Sequence, residues 1–219
     1  MKNVAVALYA EGPTDQLFLP EVIHRTVKQN LNRSGQQSID VKPVDPISFS
    51  KTGMKQDECI LQAARRAANY NILIVHADAD HRTEEKALKE RFNPGYLLVQ
   101  QAQEHVCRCV LPIVPVRMTE AWMLADPEAL RAALGTSKNA QELGLPLKAK
   151  LVENDSDPKQ TLKMIVGKAN THRSRQRHLE VTTLYTLLGR TIDLSRLSNV
   201  PAYQRFVHAL VNAFRTINL

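Results

Sequence analysis

Ile72-Leu73-Ile74-Val75-His76-Ala77-Asp78-Ala79-Asp80 is the stretch that decides the fold. Its four consecutive apolar residues have the length and continuity of a strand covered on both faces, as strands of parallel sheets are. The run delivers two carboxylates into the turn beyond its end. The start of the chain repeats the pattern: residues 4–9 are apolar and lead into Glu11-Gly12-Pro13-Thr14-Asp15. Ligands of open α/β sheets collect beyond the carboxyl ends of the strands. Four carboxylates gathered there repel one another unless cations neutralise them. An all-oxygen ligand set suits Mg²⁺ or Mn²⁺. The two clusters therefore predict a divalent-metal site for phosphate chemistry.

Around these strands the periodicity alternates. Thr14 is a candidate helix N-cap with Asp15 in the first turn, and Leu17, Phe18, Val22, Ile23 and Val27 recur at helical spacing. Ile39-Asp40-Val41-Lys42-Pro43-Val44 alternates and reads as an edge-side strand beside proline. Ile60, Leu61, Ala64 and Ala67 mark a second helix over 56–69. Residues 81–103 read as mostly helical, with Asn93-Pro94-Gly95 expected to break the helix. A fourth strand is expected over 106–116, made irregular at its end by Pro112 and Pro115. Thr119 then leads into Glu120-Ala121-Trp122-Met123-Leu124. Strands alternating with helices predict an α/β fold: a mostly parallel four-stranded sheet flanked by helices. From residue 126 the pattern becomes helical pieces at 127–134, 158–166 and 203–217, with polar loops between them. The expected organisation is a catalytic domain over 1–125 and a helical, basic C-terminal extension over 126–219.

Composition narrows the class. The chain has 219 residues, 43% hydrophobic and 23% charged, the profile of a soluble globular protein. No apolar stretch approaches the roughly 20 residues that a spanning helix needs, so no membrane association is expected. The apolar start meets Glu11 without a small-residue cleavage pattern and reads as the first strand of a cytoplasmic protein. Cys59, Cys107 and Cys109 form no disulfide framework. The pair Cys107 and Cys109 reads as two same-face apolar groups of a strand; zinc would need a second pair. The net charge is +7, and residues 141–219 carry twelve Lys/Arg against six Asp/Glu. That basic excess points to a polyanionic partner.

Individual residues sharpen the reading. Asp78 and Asp80 flank Ala79, so in extended conformation both side chains point to one side, where they can chelate one ion or bridge two. A phosphatase-type Asp-x-Asp normally has Thr or Val two residues on, where this chain has Arg82. Glu11 is a strand-end carboxylate suited to general acid/base work or to metal binding, and Gly12 permits a sharp turn. Asp15 is either a ligand or a first-turn acid. Glu84 and Glu85 read as a solvated face, Trp122 as core, and Asp126 before Pro127 as an N-cap. Glu120 falls on the same predicted sheet edge as the acidic clusters and is a further candidate ligand. The run over 168–178 holds Lys168, Arg173, Arg175 and Arg177 and no acid. Alternating guanidinium groups can fork phosphates. With few aromatics near, salt-dependent backbone binding is expected rather than base readout. Lys168 is the candidate for stabilising charge during phosphodiester cleavage.

The order of these features resembles the TOPRIM fold of topoisomerases, primases, OLD-family nucleases and small RNA-maturation nucleases. That pattern has a Glu followed by Gly after the first strand and an Asp-x-Asp after a later one. Glu11-Gly12 and Asp78-Ala79-Asp80 match it. Asp15 takes the place of the nuclease branch's second acid, and the resemblance covers roughly residues 1–116. Together with Thr119-Glu120-Ala121-Trp122-Met123-Leu124-Ala125-Asp126, the motifs look like a group of small TOPRIM-like bacterial proteins. Members of that group are often paired with an AAA/ABC-type ATPase in anti-phage defence. The resemblance implies a metal-dependent nuclease effector acting on DNA or RNA, with Glu11, Asp15, Asp78, Asp80 and Glu120 around the ions. The chain is too short for a topoisomerase breakage domain and lacks a primase's zinc ribbon. The competing expectation is a non-catalytic module that docks on an ATPase, and a third is a phosphotransferase or primase-like polymerase. Oligomeric state is left open, a homo-oligomer included.

Overall fold

Parallel strand pairing between segments far apart in the chain organises the molecule. A computed structural model describes residues 3–35, 39–81, 83–146, 148–170 and 181–219. The strands are β1 (Asn3–Val4), β2 (Val6–Tyr9), β3 (Asp40–Val41), β4 (Asp45–Pro46), β5 (Ile72–His76) and β6 (Val110–Ile113). A four-stranded sheet runs β4-β2-β5-β6 with every pairing parallel, and β1 pairs with β3 beside it, also in parallel. Between β1 and β2 the backbone is held by Asn71, whose Oδ1 accepts from Ala5 N (2.8 Å) and whose N donates to Ala5 O (2.9 Å).

The helices are α1 (Asp15–Arg33), α2 (Gln56–Arg66), α3 (Glu85–Ala87), α4 (Asn93–Gln101), α5 (Glu120–Met123), α6 (Pro127–Leu134) and α7 (Ala140–Leu143). They continue with α8 (Pro158–Asn170), α9 (Val181–Thr191), α10 (Leu194–Leu197) and α11 (Pro201–Thr216). A π-helical turn, Leu88–Phe92, joins α3 to α4, and a 3₁₀ helix, Ala149–Asn154, precedes α8.

The strands alternate between two cores, as the pleat requires. Val6, Leu8, Ile72 and Ile74 face Phe18, Leu19, Val22 and Ile23 of α1. Ala7, Tyr9, Leu73 and Val75 face Cys59, Ile60, Ala63 and Ala64 of α2, with Val99 of α4. The chain leaves β2 for the edge strand β4 through α1, then returns past β2 to β5 through α2. Right-handed crossovers running in opposite directions put their helices on opposite faces, and α1 and α2 lie so. The direction reverses between β2 and β5, and the space beyond their carboxyl ends is the switch point where open sheets form crevices.

Three local expectations are corrected. Asn93-Pro94-Gly95 does not end a helix, because the preceding π-helical turn absorbs the proline and Pro94 sits in the first turn of α4. Thr14 precedes α1 but makes no capping bond with its side chain; Asp15 Oδ2 instead accepts from Gly12 N (3.2 Å). Cys107 and Cys109 do not share a face: they precede β6, and Cys107 packs in the α2 core while Cys109 lies against the α1 core. Pro112 is in β6, the sheet's edge strand, where a missing N–H is tolerated.

The segment after residue 126 is helical among its described residues and completes the α1 core. Leu130, Leu162, Ile165, Leu188, Phe206 and Leu210 join Ile113, Trp122 and Ala125 in one cluster. Trp122 is fully buried, edge-on to Tyr203 at 5.4 Å, as its reading as a core residue requires. Asp126 caps α6 as expected, its Oδ1 accepting from Glu128 N and Ala129 N at 3.2 Å, with Pro127 in the first turn. No helix among the described residues is long and apolar enough to cross a membrane.

Candidate functional site

β5 ends on His76, which follows Ile72 and Ile74 on the same face and is fully buried. Its Nε2 lies 3.2 Å from Thr119 Oγ1 and 3.3 Å from Asp78 Oδ1. On the other side of the ring, Nδ1 accepts from Glu11 N (3.5 Å) and lies 3.7 Å from Asp15 Oδ2. One imidazole thus touches both acidic turns. Burial opposes its charged form, but Asp78, with Asp15 and Glu11 behind it, outweighs burial and raises its pKa.

Each expected carboxylate has a definite environment. Asp15 is buried at the start of α1, and the turn before it is built around it: a Cβ on Gly12 would lie 2.8 Å from Asp15 Oδ2. A side chain at Gly12 would push that carboxylate aside, whereas the backbone there is not left-handed. Asp78 is largely withdrawn from solvent, and its Oδ1 is buried without a hydrogen bond, the approach of His76 being an ion-pair contact only. Burial raises the Asp78 pKa, His76 pulls it back, and Asp15 and Glu120 push it up again. Glu120, the first residue of α5, is also buried, and its Oε1 accepts from Tyr185 OH (2.6 Å) of α9. Burial, and after it that carboxylate, push the Tyr185 hydroxyl pKa up.

Glu11 and Asp80 are the solvent-facing members. The expected same-side pairing of Asp78 with Asp80 does not occur. Asp80 adopts a left-handed conformation (φ 52°), which turns its side chain away from that of Asp78. Opposite it Arg117 is left-handed too (φ 67°), and the strands' pairing continues irregularly there through Asp80 N to Arg117 O (3.2 Å) and Arg117 N to His81 O (3.3 Å). Two non-glycine residues held in a sparsely populated region beside one cluster are a signature of functional sites. Asp80 pairs with Arg91, whose NH2 donates to Oδ2 at 2.5 Å. Arg91 NH1 donates to Glu11 Oε2 (3.3 Å), Glu11 Oε1 (3.5 Å) and Asp78 O (3.0 Å). Glu11 Oε2 also accepts from Asp78 N (3.4 Å). Behind the first turn, Lys51 Nζ donates to the carbonyls of Ala10 (3.4 Å) and Glu11 (3.1 Å).

The structure therefore places Glu11, Asp15, Asp78, Asp80 and Glu120 at one end of the sheet, linked through His76 and Arg91, with no three of them converging on one point. Lys168 Nζ donates to Leu143 O (3.2 Å) at the C-terminus of α7, a favourable place for a cation. Arg173, Arg175 and Arg177 lie outside the described residues. A basic surface is present elsewhere: a cavity of about 470 Å³ is lined by Lys148, Lys150, Arg196 and Asn199 with Ala125 and Pro127, and no acid lines it among the described residues.

Sequence reading passed over His76, Arg91, Lys51, Thr119 and Tyr185. His76 had a signal, a polar residue continuing the buried face of an apolar strand. Arg91 had none, since it reaches the cluster only through the register of the π-helical turn.

As described, no three His, Cys, Asp or Glu side chains converge closely enough to hold an ion among the described residues. The donor set nonetheless fits a hard divalent cation. It consists of carboxylates, and Asp78 Oδ1 is a buried acceptor whose near neighbour is His76 Nε2 at 3.3 Å. Fold and site define an α/β protein with an acidic cluster at the switch point of a parallel sheet. The chain belongs to the family described as Domain of unknown function (DUF4276), whose pattern matches residues 10–211. No curated protein and no solved structure matches it.

Proposed function

We propose that this protein is a Mg²⁺- or Mn²⁺-dependent nuclease of the TOPRIM type, cleaving phosphodiester bonds in DNA or RNA. The observation that carries the reading is the pair of acidic turns that the parallel strands β2 and β5 deliver to one end of the sheet, with Glu11 Oε2 accepting from Asp78 N (3.4 Å) and the imidazole of His76 lying between Asp78 and Asp15. Asp15 and Glu120 are buried and Asp78 is half-buried, and these three would hold an ion with Glu11 and Asp80. When bound, the ion supplies Lewis-acid neutralisation of charge at the scissile phosphate. Glu11, at the open side, would accept a proton from an attacking water. His76 fixes the orientation of Asp78 from below, with Thr119 holding the ring. The cavity of Lys148, Lys150 and Arg196 supports a polyanionic partner, bound through its phosphates. The resemblance to small TOPRIM-like proteins supports an AAA/ABC-type ATPase as regulator and a role in anti-phage defence.

The test compares wild type with an Asp78→Ala/Asp80→Ala variant on DNA and RNA substrates in Mg²⁺ and in Mn²⁺. Cleavage should fall by about a hundredfold or more, as when a group central to charge stabilisation is removed; equal cleavage by the double variant would refute the reading.

A second reading, a non-catalytic subunit docking on an ATPase, is favoured by one observation: Arg91 already neutralises Glu11 and Asp80. Calorimetric titration with Mn²⁺ separates the two. Site-specific uptake that the Asp78→Ala/Asp80→Ala variant lacks supports the nuclease; no uptake supports the docking subunit.

A further inference from the structure

Arg91 leaves the π-helical turn Leu88–Phe92 and reaches across the mouth of the acidic cluster. Its guanidinium spans the two turns that approach from separate strands. NH1 lies on both Glu11 oxygens and on the Asp78 carbonyl, at 3.0–3.5 Å, while NH2 lies on Asp80 at 2.5 Å. These carboxylates are the ones an ion would need from the solvent side. A guanidinium and a divalent cation compete for the same oxygen lone pairs, so both cannot hold Glu11 and Asp80 together. Deprotonation offers no release, because guanidinium keeps its charge at any physiological pH. Opening the cluster therefore requires the charged side chain to move, and a competing cation can drive that movement.

Two further features make that exchange feasible. The Arg91 side chain is 34% exposed, so moving it leaves no deep void. Beside it lies a cavity of about 140 Å³, lined by Asp80, His81, Lys86, Ala87 and Glu90 together with Arg91 itself. A turn of the side chain towards that cavity would free the oxygens of Glu11 and keep the charge within the site. π-helical turns recur at functional sites, where their irregular register re-aims side chains.

We propose that Arg91 is a resident counter-ion of the acidic cluster, displaced when a divalent cation binds and then available to fork a phosphate oxygen pair of the substrate. The inference rests on the metal-dependent reading above and assigns a second role to the residue that otherwise blocks it. In the metal-free state Arg91 lowers the repulsion among the carboxylates and keeps the site closed to weakly binding cations. With metal bound, its planar donor pair matches a phosphodiester.

The experiment titrates wild type, Arg91→Gln and Arg91→Lys with Mn²⁺ by calorimetry and measures cleavage of a labelled oligonucleotide at saturating Mn²⁺. Loss of the competitor should tighten Mn²⁺ uptake by Arg91→Gln roughly three- to tenfold, the range expected for two half-exposed ion pairs. At saturating Mn²⁺ its kcat should nevertheless fall, because the phosphate fork is gone. Arg91→Lys keeps the charge without the fork and should be intermediate in uptake but as slow in cleavage. If Arg91→Gln does not fold by its melting curve, Arg91→Lys carries the test on both readouts. Uptake by the variants equal to or weaker than wild type, with wild type itself binding, overturns this inference and leaves the metal-dependent reading standing. Absence of uptake in all three overturns both.

Discussion

His76 gathers more of the site than any acid does, because strand geometry aims it inward while its neighbours turn outward. Its pKa and that of Asp78 are both raised in the folded protein, so over the window above the carboxylate range the native state binds more protons than the unfolded chain. For His76, the stabilisation is fully present below the unfolded value of 6.5 and is lost as pH rises through the folded value. For Asp78, stability likewise increases as pH falls through its raised folded value. Metal-free protein should therefore melt at a lower temperature as pH rises from about 6 to about 8, and His76→Gln should flatten that slope. Added Mn²⁺ should stabilise more at the higher pH, since it competes with those protons. Differential scanning calorimetry in EDTA and in Mn²⁺ checks both signs. At this scale the acids were legible in the sequence because strand-end carboxylates announce themselves by spacing. The direction of Asp80 was not, because its left-handed backbone is held by a hydrogen bond to Arg117, far along the chain.

Among the elements, helix pairs are decided by how closely two backbones approach. α9 lies on α1 at Gly189, where a Cβ would meet Phe18 O at 2.7 Å and Glu21 Cβ at 3.1 Å. Arg25 of α1 seals the contact, donating to Gly189 O (3.1 Å) and Ile192 O (2.7 Å). Helix propensity alone predicts that Gly189→Ala stabilises by about 0.5–1 kcal/mol. The close approach reverses the sign: the helices must separate, and a loss of about 1–3 kcal/mol is expected. A urea denaturation midpoint lower than wild type would bear this out, and a higher one would show that the helices part without cost. The apolar periodicity of α1 was legible, but its partner α9 was not read from the sequence. Nor was the continuation of α3 into α4, where a π-helical turn leads into a helix with Pro94 in its first turn.

For the whole molecule, the expected division at residue 126 runs through a shared core. One face of the sheet is covered by α1 together with helices that come after that point, through Leu130, Leu188, Phe206 and Leu210. Tyr185 of α9 also supplies the hydrogen bond to Glu120. A fragment of residues 1–125 should therefore fail to fold on its own, exposing Trp122 and the Ile72 and Ile74 face to water. Circular dichroism and tryptophan fluorescence of that fragment test it: a cooperative melt with a buried tryptophan would show an independent domain.

The sequence alone determined the α/β class, the parallel sheet and the acidic turns beyond β2 and β5, since these follow from short-range periodicity and from carboxylates at strand ends. Only the tertiary structure decided that His76 lies beneath both turns, that Arg91 closes them and that Tyr185 reaches Glu120. Those contacts join residues far apart in the chain, and they are fixed by packing and helical register, which local pattern does not encode.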